Sequence, residues 1–202
     1  MDYLLAFKSF FGISPDDIGD RVVITNISPI YAGLIGSAMK YITTTSGFYE
    51  NSKVFFGDGK EIEVIKISQG SCIVDVLKLL TRYVNEIIFI GIAGCITSKF
   101  RIGDICIPTR FVSLGNGSMG NCITICQTSG LIQADEYYHS LRDKGIDLVD
   151  MECHDVYKLC QESGVKLKYI VQITDLPLEL PFYSVQPQPI NINQIVNLLK
   201  DE

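Results

Sequence analysis

The chain has 202 residues, a net charge of −6 and 47% apolar residues, and its mean hydropathy is +0.24. These values suit a globular protein with a large core and exclude a disordered chain. No apolar run approaches the length of a membrane span, and Lys and Arg form no cluster, so we expect neither a membrane nor nucleic acid as a partner.

The seven cysteines indicate the redox conditions of the cell compartment in which the protein functions. Their number is odd, they form no C-x-x-C pair, and several lie in apolar runs, which favours reduced thiols in a cytoplasmic protein. The first residues also lack the basic region of a signal peptide. Cys122, Cys126, His139 and His154 are an alternative zinc set, but 122–126 predicts a strand without paired ligands, so we expect no metal.

The first elements in chain order are a helix, a strand and a second helix. Residues 2–12 favour a short helix within an N-terminal extension, 1–19, and Arg21–Thr25 predicts a strand. Ser28 and Pro29 favour a helix start, with Ser28 as the N-cap. A strand followed by a polar turn and a helix N-terminus could bind an anion or a hydroxyl group, and a capped helix alone explains the pattern equally well.

A hairpin and a crossover follow. The turn Gly57-Asp58-Gly59 separates two strand patterns, and the second arm, Ile62–Ile67, alternates apolar and charged residues, so we expect it to be half exposed. Helical spacing over 72–83 then leads to the apolar run Ile87–Ile90. This succession of strand, helix and strand implies a parallel crossover and therefore an α/β fold.

The run Ile87–Ile90 and the glycine turn after it organise the rest of the chain. An unalternating β-branched run is typical of a strand buried on both faces. Ligands bind at the carboxyl ends of such strands, where Gly91-Ile92-Ala93-Gly94 would let backbone amides approach a ligand closely. A G-x-x-G sequence alone is equally compatible with a simple tight turn.

The later part of the chain carries two acids at junctions between strands and helices. Gly115–Gly120 predicts a loop, and 135–141 predicts a short helix with Tyr137 and Tyr138. Glu152 opens a helix that Gly164 ends, and Asp175 closes a strand. In a parallel sheet both acids would face the edge that carries the glycine turn, although either one alone could be a capping or solvated carboxylate.

The order G-x-A-G, I-G-D-I-x-I-P, V-D-M-E at a helix start and I-T-D at a strand end resembles the nucleoside phosphorylase and nucleosidase superfamily. The resemblance runs over roughly residues 20–176. It implies one three-layer αβα domain, 1–202, around a mixed, largely parallel twisted sheet. It also implies cleavage of an N-ribosidic bond without a cofactor.

The resemblance assigns a role to each matching residue. Asp175 corresponds to the aspartate that protonates a purine ring nitrogen, and it favours a purine because uridine phosphorylases lack it. Glu152 corresponds to the glutamate that binds ribose hydroxyls, and Met151 would pack under the sugar. Tyr137 takes the position of an aromatic residue that stacks on the base, with Tyr138 as the alternative.

The chain departs from the superfamily where phosphate binds. Phe89 occupies the position of a phosphate-binding arginine, the next phosphate contact falls at Ile92, and 26–29 replaces a G-D-P turn. Neither Phe nor Ile can bind an anion, which argues against phosphorolysis. Nucleosidases have a water-activating glutamate after the first strand, but no acid lies between residues 20 and 50, so Ser28, Asn26 or a water held by backbone amides would have to substitute.

The leading hypothesis is therefore a purine nucleoside N-ribosyl hydrolase with Asp175 as general acid. A purine nucleoside phosphorylase with an altered phosphate site and a catalytically inactive nucleoside-binding relative are the alternatives. Relatives form dimers or rings of dimers, so the resemblance also implies a homodimer or a higher homo-oligomer.

Overall fold

The structure is a computed structural model that describes residues 2–44, 46–56, 60–68, 72–113, 122–129 and 135–200. The turn predicted at 57–59 and the loop predicted at 115–120 lie outside these residues. The helices are α1 Tyr3–Phe11, α2 Ser28–Gly36, α3 Cys72–Leu80, α4 Asp135–Asp143, α5 Cys153–Ser163 and α6 Ile192–Lys200. The strands are β1 Arg21–Thr25, β2 Lys40–Thr44, β3 Glu50–Phe55, β4 Glu61–Lys66, β5 Glu86–Cys95, β6 Ile105–Cys106, β7 Arg110–Val112, β8 Thr124–Gln127, β9 Leu148–Asp150 and β10 Lys166–Asp175.

The strands form one mixed sheet in which neighbours pair in the order β2-β3-β4-β1-β5-β9-β8-β7. Strands β1 and β9 pair with different parts of one edge of β5, and β10 lies along the opposite edge. Strands β4, β1, β5 and β10 are parallel neighbours, whereas β2, β3 and β4 form an antiparallel meander. The parallel centre confirms the predicted α/β fold, because β4, α3 and β5 make the expected crossover.

Helices cover both faces of the sheet. One core joins α1, α3 and α5 to the sheet through residues such as Phe7, Leu77 and Val156. The core on the opposite face joins α2 and α6 through Leu34 and Ile195. These two cores confirm the predicted three-layer arrangement. Among the described residues, none of the helices has the length and apolar character that a bilayer crossing requires.

Strand β5 is buried on both faces, as its β-branched run predicts. Ile87 and Phe89 belong to one core and Ile88 and Ile90 to the other, and each is at most 1% exposed. Burying an apolar side chain of this size contributes about 1.5–3 kcal/mol. The strand therefore holds its carboxyl end, residues 91–95, in a fixed position at the edge of the core.

Two predictions in the first third of the chain are wrong. The segment Ile62–Ile67 is not half exposed, since Glu63 is 4% and Ile65 0% exposed. The reason is that β4 lies between β3 and β1 and is covered on both faces. Ser28 is not the N-cap of α2, because that position is held by Ile27 and Ser28 begins the helix.

Candidate active site

The candidate active site lies beside β5, where this strand changes partners along one edge. Strand β1 pairs with residues 86–89, and β9 pairs in the antiparallel sense with Gly94 and Cys95. Within the described ranges, neither strand pairs with residues 90–93, although β10 follows the opposite edge as far as Gly94. This gap exposes the backbone of a core strand to a cavity.

The cavity has a volume of about 300 Å³, at the lower end of the range for small-molecule sites. It lies beyond the carboxyl ends of β1 and β10, where open α/β sheets bind ligands. The predicted site residues that line it are Phe89, Gly91, Ile92, Ala93, Gly94, Met151, Glu152 and Asp175. The structure therefore brings the glycine turn and both acids to one place.

Gly94 is required by the close approach of two other groups. A Cβ atom at this position would lie 2.8 Å from Cγ of Pro177 and 3.0 Å from Oδ2 of Asp175. Contacts shorter than about 3 Å force a neighbour to move. A side chain at position 94 would therefore displace the carboxyl group of Asp175, which explains the glycine without invoking a turn.

Asp175 ends β10 and is 9% exposed. Burial raises the pKa of its carboxyl group, while a hydrogen bond of 3.1 Å from the Thr174 hydroxyl opposes this shift. A raised pKa keeps a larger fraction of the carboxyl group protonated near neutral pH. Asp175 is therefore suited to donate a proton to a ligand in the cavity.

Glu152 and Met151 follow β9 directly and precede α5. The Glu152 side chain is buried, whereas Met151 is 46% exposed, so the cavity presents an apolar face beside a carboxylate. Glu152 is the N-cap residue of α5 but makes no side-chain capping hydrogen bond. The residue therefore lines the cavity without capping the helix backbone.

Tyr137 does not line the cavity, whereas Tyr138 does. Successive residues of a helix point about 100° apart, so only one of two adjacent tyrosines in α4 can reach the site. Tyr138 is 3% exposed. Burial and the nearby charge of Asp175 both raise the pKa of its hydroxyl group, and both residues line the cavity.

Ser28 also lies away from the cavity, and its side chain is exposed. The two residues before it, Asn26 and Ile27, form the wall after β1 instead. The Ile27 amide donates a hydrogen bond of 3.1 Å to Oγ1 of Thr25, which fixes the turn. Asn26 is thus the polar side chain that the first strand contributes.

Several residues of the cavity wall had no predicted role, among them Thr128, Asp150 and Phe182. Asp150 stands at the strand end in V-D-M-E, and that position is the only sequence signal for it. Phe182 lies in a segment with Pro177 and Pro181 and without helical or strand periodicity. Its ring is 57% exposed at the cavity mouth, so only the folded chain reveals it.

The cavity wall has carboxylates but no cation. Asp150, Glu152 and Asp175 line it, and no Lys, Arg or His from the described ranges does so. In the same part of the chain no group of three or more His, Cys, Asp or Glu side chains could hold a metal ion. The arrangement suits a neutral ligand with hydroxyl groups and an apolar body, and it disfavours an anion.

Comparison with known proteins gives one match among family models. The model of the phosphorylase superfamily matches residues 40–122. No curated protein sequence matches the chain. The matched segment runs from β2 past β7 and includes the glycine turn, but it ends before Glu152 and Asp175.

Solved structures share the fold over most of the chain. Purine nucleoside phosphorylase from Toxoplasma gondii is 16% identical, with a TM-score of 0.72 over 91% of this chain and 88% of that chain. Uridine phosphorylase from Vibrio fischeri is 12% identical, with a TM-score of 0.73 over 99% and 92%. Futalosine hydrolase from Helicobacter pylori is 15% identical, with a TM-score of 0.61 over 76% and 88%.

The suspected resemblance to the nucleoside phosphorylase and nucleosidase superfamily is confirmed. Members of the superfamily act on nucleosides as phosphorylases or hydrolases. At these identities the structural matches establish the fold, and the chemistry of this chain depends on its own side chains.

Phe89, for which the resemblance implies the place of a phosphate-binding arginine, is part of an aromatic cluster. Its ring stacks on Tyr169 with centroids 4.8 Å apart and an angle of 17° between the planes. Tyr169 also meets the edge of Phe111 at 5.5 Å. The position is therefore filled by a buried ring with two aromatic neighbours in place of a charged group.

Proposed function

We propose that the protein is a purine nucleoside N-ribosyl hydrolase, with Asp175 as its general acid. The observation that carries the proposal is one cavity in which a buried Asp175 with a raised pKa and a buried Glu152 face the same space. A proton donor for the leaving base and a carboxylate that binds the sugar hydroxyls are two of the groups that this cleavage uses, while the oxygen of water bonds to C1′ as the base leaves.

Asp175 would act on the base. As the bond between C1′ and the base nitrogen breaks, its electron pair moves into the base, and a proton from Asp175 to a ring nitrogen makes the base a better leaving group. Such a general acid contributes about a hundredfold to ten-thousandfold in rate. Tyr138, which lies beside Asp175 in the cavity wall, replaces Tyr137 as the ring that would stack on the base.

Glu152 would act on the sugar. Its carboxylate accepts hydrogen bonds from the ribose hydroxyls, and its charge favours the oxocarbenium character that develops at the sugar. Met151 supplies the apolar surface on which the sugar ring packs. Gly91 to Gly94 form the backbone wall that lets the nucleoside lie close to β5.

Hydrolysis is favoured over phosphorolysis by the absence of a cation on the described cavity wall. Phosphate would have to enter beside three carboxylates with no partner charge, which costs free energy. Water needs no such partner, and the Asn26 side chain can orient it. The same fold carries a hydrolase in Helicobacter pylori and phosphorylases in Toxoplasma gondii and Vibrio fischeri, so the preference for hydrolysis rests on the cavity wall of this chain.

The test is release of free base. Purified protein is incubated with methylthioadenosine, adenosine and inosine, with and without phosphate, and free base is measured by chromatography. We expect release without phosphate and a loss of at least about a hundredfold in Asp175→Asn. Asp143→Asn, which changes an exposed acid at the end of α4, is the matched control and keeps full activity.

Each of the other outcomes would support a different function. Release only with phosphate would establish a phosphorylase with a rearranged phosphate site. Nucleoside binding without release would establish a catalytically inactive relative. Full activity in Asp175→Asn would exclude Asp175 as the acid, whatever the reaction.

We further propose that the chain forms a homodimer or a higher homo-oligomer. Strand β2 is an edge strand whose Tyr41 and Ile42 are each more than half exposed, and Met39 and Phe48 nearby are exposed too. Exposed apolar side chains on an unpaired edge favour association. Light scattering of Ile42→Lys against the wild type tests the interface.

A cytoplasmic location is also part of the proposal, since buried free thiols such as Cys153 suit a reducing compartment.

A further inference from the structure

The carboxylate of Asp150 holds the backbone at the start of α5. Its Oδ1 accepts hydrogen bonds from the backbone amides of Glu152 at 3.0 Å and Cys153 at 2.8 Å. The first amides of a helix lack partners within the helix, so a side-chain acceptor stabilises this turn. Farther along the same turn, the Asp155 amide donates a hydrogen bond of 2.9 Å to Oε1 of Gln127, and Glu152 at the N-cap position makes no side-chain capping bond.

Tyr169 completes the support from a second strand. Its hydroxyl group donates a hydrogen bond to Oδ2 of Asp150, and the side chain is 1% exposed. The ring is held by the stack on Phe89 and by the edge contact with Phe111. Strand β10, which carries Asp175 at its end, is thereby tied to β9, which leads into Glu152.

We infer that Asp150 is a positioning residue that directs Glu152 into the cavity, and that Tyr169 holds Asp150 in place for this task. This inference rests on the proposed function for the ligand that Glu152 binds. A buried carboxylate with three donors remains where those donors hold it. Without Asp150, the amides of Glu152 and Cys153 would lose their acceptor, and the backbone that places the Glu152 side chain in the cavity wall would no longer be fixed.

The inference predicts a loss that depends on the sugar hydroxyls. Tyr169→Phe keeps the aromatic stack and removes only the donor, and Asp150→Ala removes the acceptor. We expect both variants to bind a purine ribonucleoside about tenfold more weakly. Binding of the matching 2′,3′-dideoxynucleoside, which has no hydroxyl for Glu152 to hold, should not change.

The measurement is the dissociation constant by calorimetry, together with kcat and KM for base release. Glu152→Gln should show the same pattern, and adding Asp150→Ala to it should cause no further loss for the ribonucleoside. Glu162→Ala is the matched control, because Glu162 is an exposed acid in the same helix that pairs with the exposed Lys158 far from the cavity, and it should behave as the wild type. Equal losses for both nucleosides, or no loss for either, would overturn the inference.

A crystal structure of each variant gives a readout that needs no ligand. In Asp150→Ala we expect the backbone at Glu152 and Cys153 to shift, so that the Glu152 carboxylate leaves its place in the cavity wall. An unchanged Glu152 would overturn the positioning role. If the wild type releases no base, the proposed function fails, and the dissociation constants and the Glu152 orientation still decide the role of Asp150. Tyr169→Phe keeps the core packed if Asp150→Ala proves too unstable to purify.

Discussion

Two carboxylates are buried in the same sheet under opposite conditions. Asp150, at the end of β9, accepts hydrogen bonds from two backbone amides and the Tyr169 hydroxyl. Glu63, in the middle of β4, has an Oε2 atom without a hydrogen-bond partner among the described residues. The nearest cation, Lys53, contacts Glu61 at 3.5 Å and the backbone oxygen of Asp17 at 3.5 Å.

This difference means that Asp150 can fix part of the site, whereas burial of Glu63 lowers the stability of the fold. Burial raises the pKa of both groups, and for Asp150 the three hydrogen bonds oppose the shift. For Glu63 burial is opposed first by the charge of Lys53, and the pKa still rises to about 7. Hydrogen-bond donors oppose the protonation of a buried acid, and Asp150 has more of them than Glu63.

The largest expected effect is at the cavity. Gly94→Ala should reduce base release about a hundredfold, because the new methyl group would push against Asp175 and the rigid ring of Pro177. The rate constant of base release measures it. Gly36→Ala is the matched control, since a Cβ atom there meets nothing within 4 Å, and it should leave the rate unchanged. A fully active Gly94→Ala would mean that Asp175 can move without consequence.

The pair Asp150→Asn and Glu63→Gln should shift stability in opposite directions at pH 8. Asp150→Asn places an amide donor against groups that already donate, which should cost about 2 kcal/mol of unfolding free energy. Glu63→Gln removes a buried charge and should add about 2–3 kcal/mol. Urea unfolding of both variants measures the difference. If both substitutions destabilise the protein, Glu63 has a favourable partner and the comparison fails.

The stability of the wild type should depend on pH through Glu63. Its pKa rises from 4.5 to about 7 on folding, so between these values the folded state holds more protons than the unfolded state. The unfolding free energy therefore falls as pH rises through this window, by about 3 kcal/mol for this group. Urea unfolding from pH 4.5 to 8 should show a shallower fall in Glu63→Gln, and equal slopes would contradict the assignment.

Asp147 gives an intermediate case and the smallest effect. This buried carboxylate is held by Lys99 at 2.7 Å and by the Thr124 amide at 3.1 Å. Lys99→Met removes one of these partners and should cost about 1 kcal/mol, because Lys99 is largely exposed and water can replace part of its charge. Lys158→Met, which breaks only an exposed pair with Glu162, should stay within about 0.5 kcal/mol of the wild type. Thermal unfolding compares the two.

The sequence predicts those parts of the fold and site that depend on local pattern. The run Ile87–Ile90 predicts the central strand, and the order of the glycine turn, Glu152 and Asp175 predicts that they meet at one edge. Asp150 could not be assigned a role, because its partner Tyr169 lies on another strand and only pairing through β5 brings the two together. Local pattern carries no information about such a contact.

Two further differences between the sequence-based predictions and the structure, in β4 and in α4, also have physical causes. The charged positions of β4 favour an exposed face, but coverage of both faces of this strand is decided by distant elements and overrides the alternation at Glu63. The choice between Tyr137 and Tyr138 depends on the rotation of α4 about its axis. A helix of nine residues with mostly polar neighbours does not specify that rotation from sequence alone.

The gap along β5 has a consequence for how the chain reports an occupied cavity. Residues 90–93 belong to the most buried strand, yet one edge of this segment has no strand partner among the described residues. Backbone amides in such a segment should exchange hydrogen for deuterium through small local openings, while those at 86–89 should require much larger ones. A bound nucleoside would cover that edge, so hydrogen–deuterium exchange should slow at 90–93 and stay the same at 86–89. Exchange in this core strand would therefore report whether the cavity is occupied.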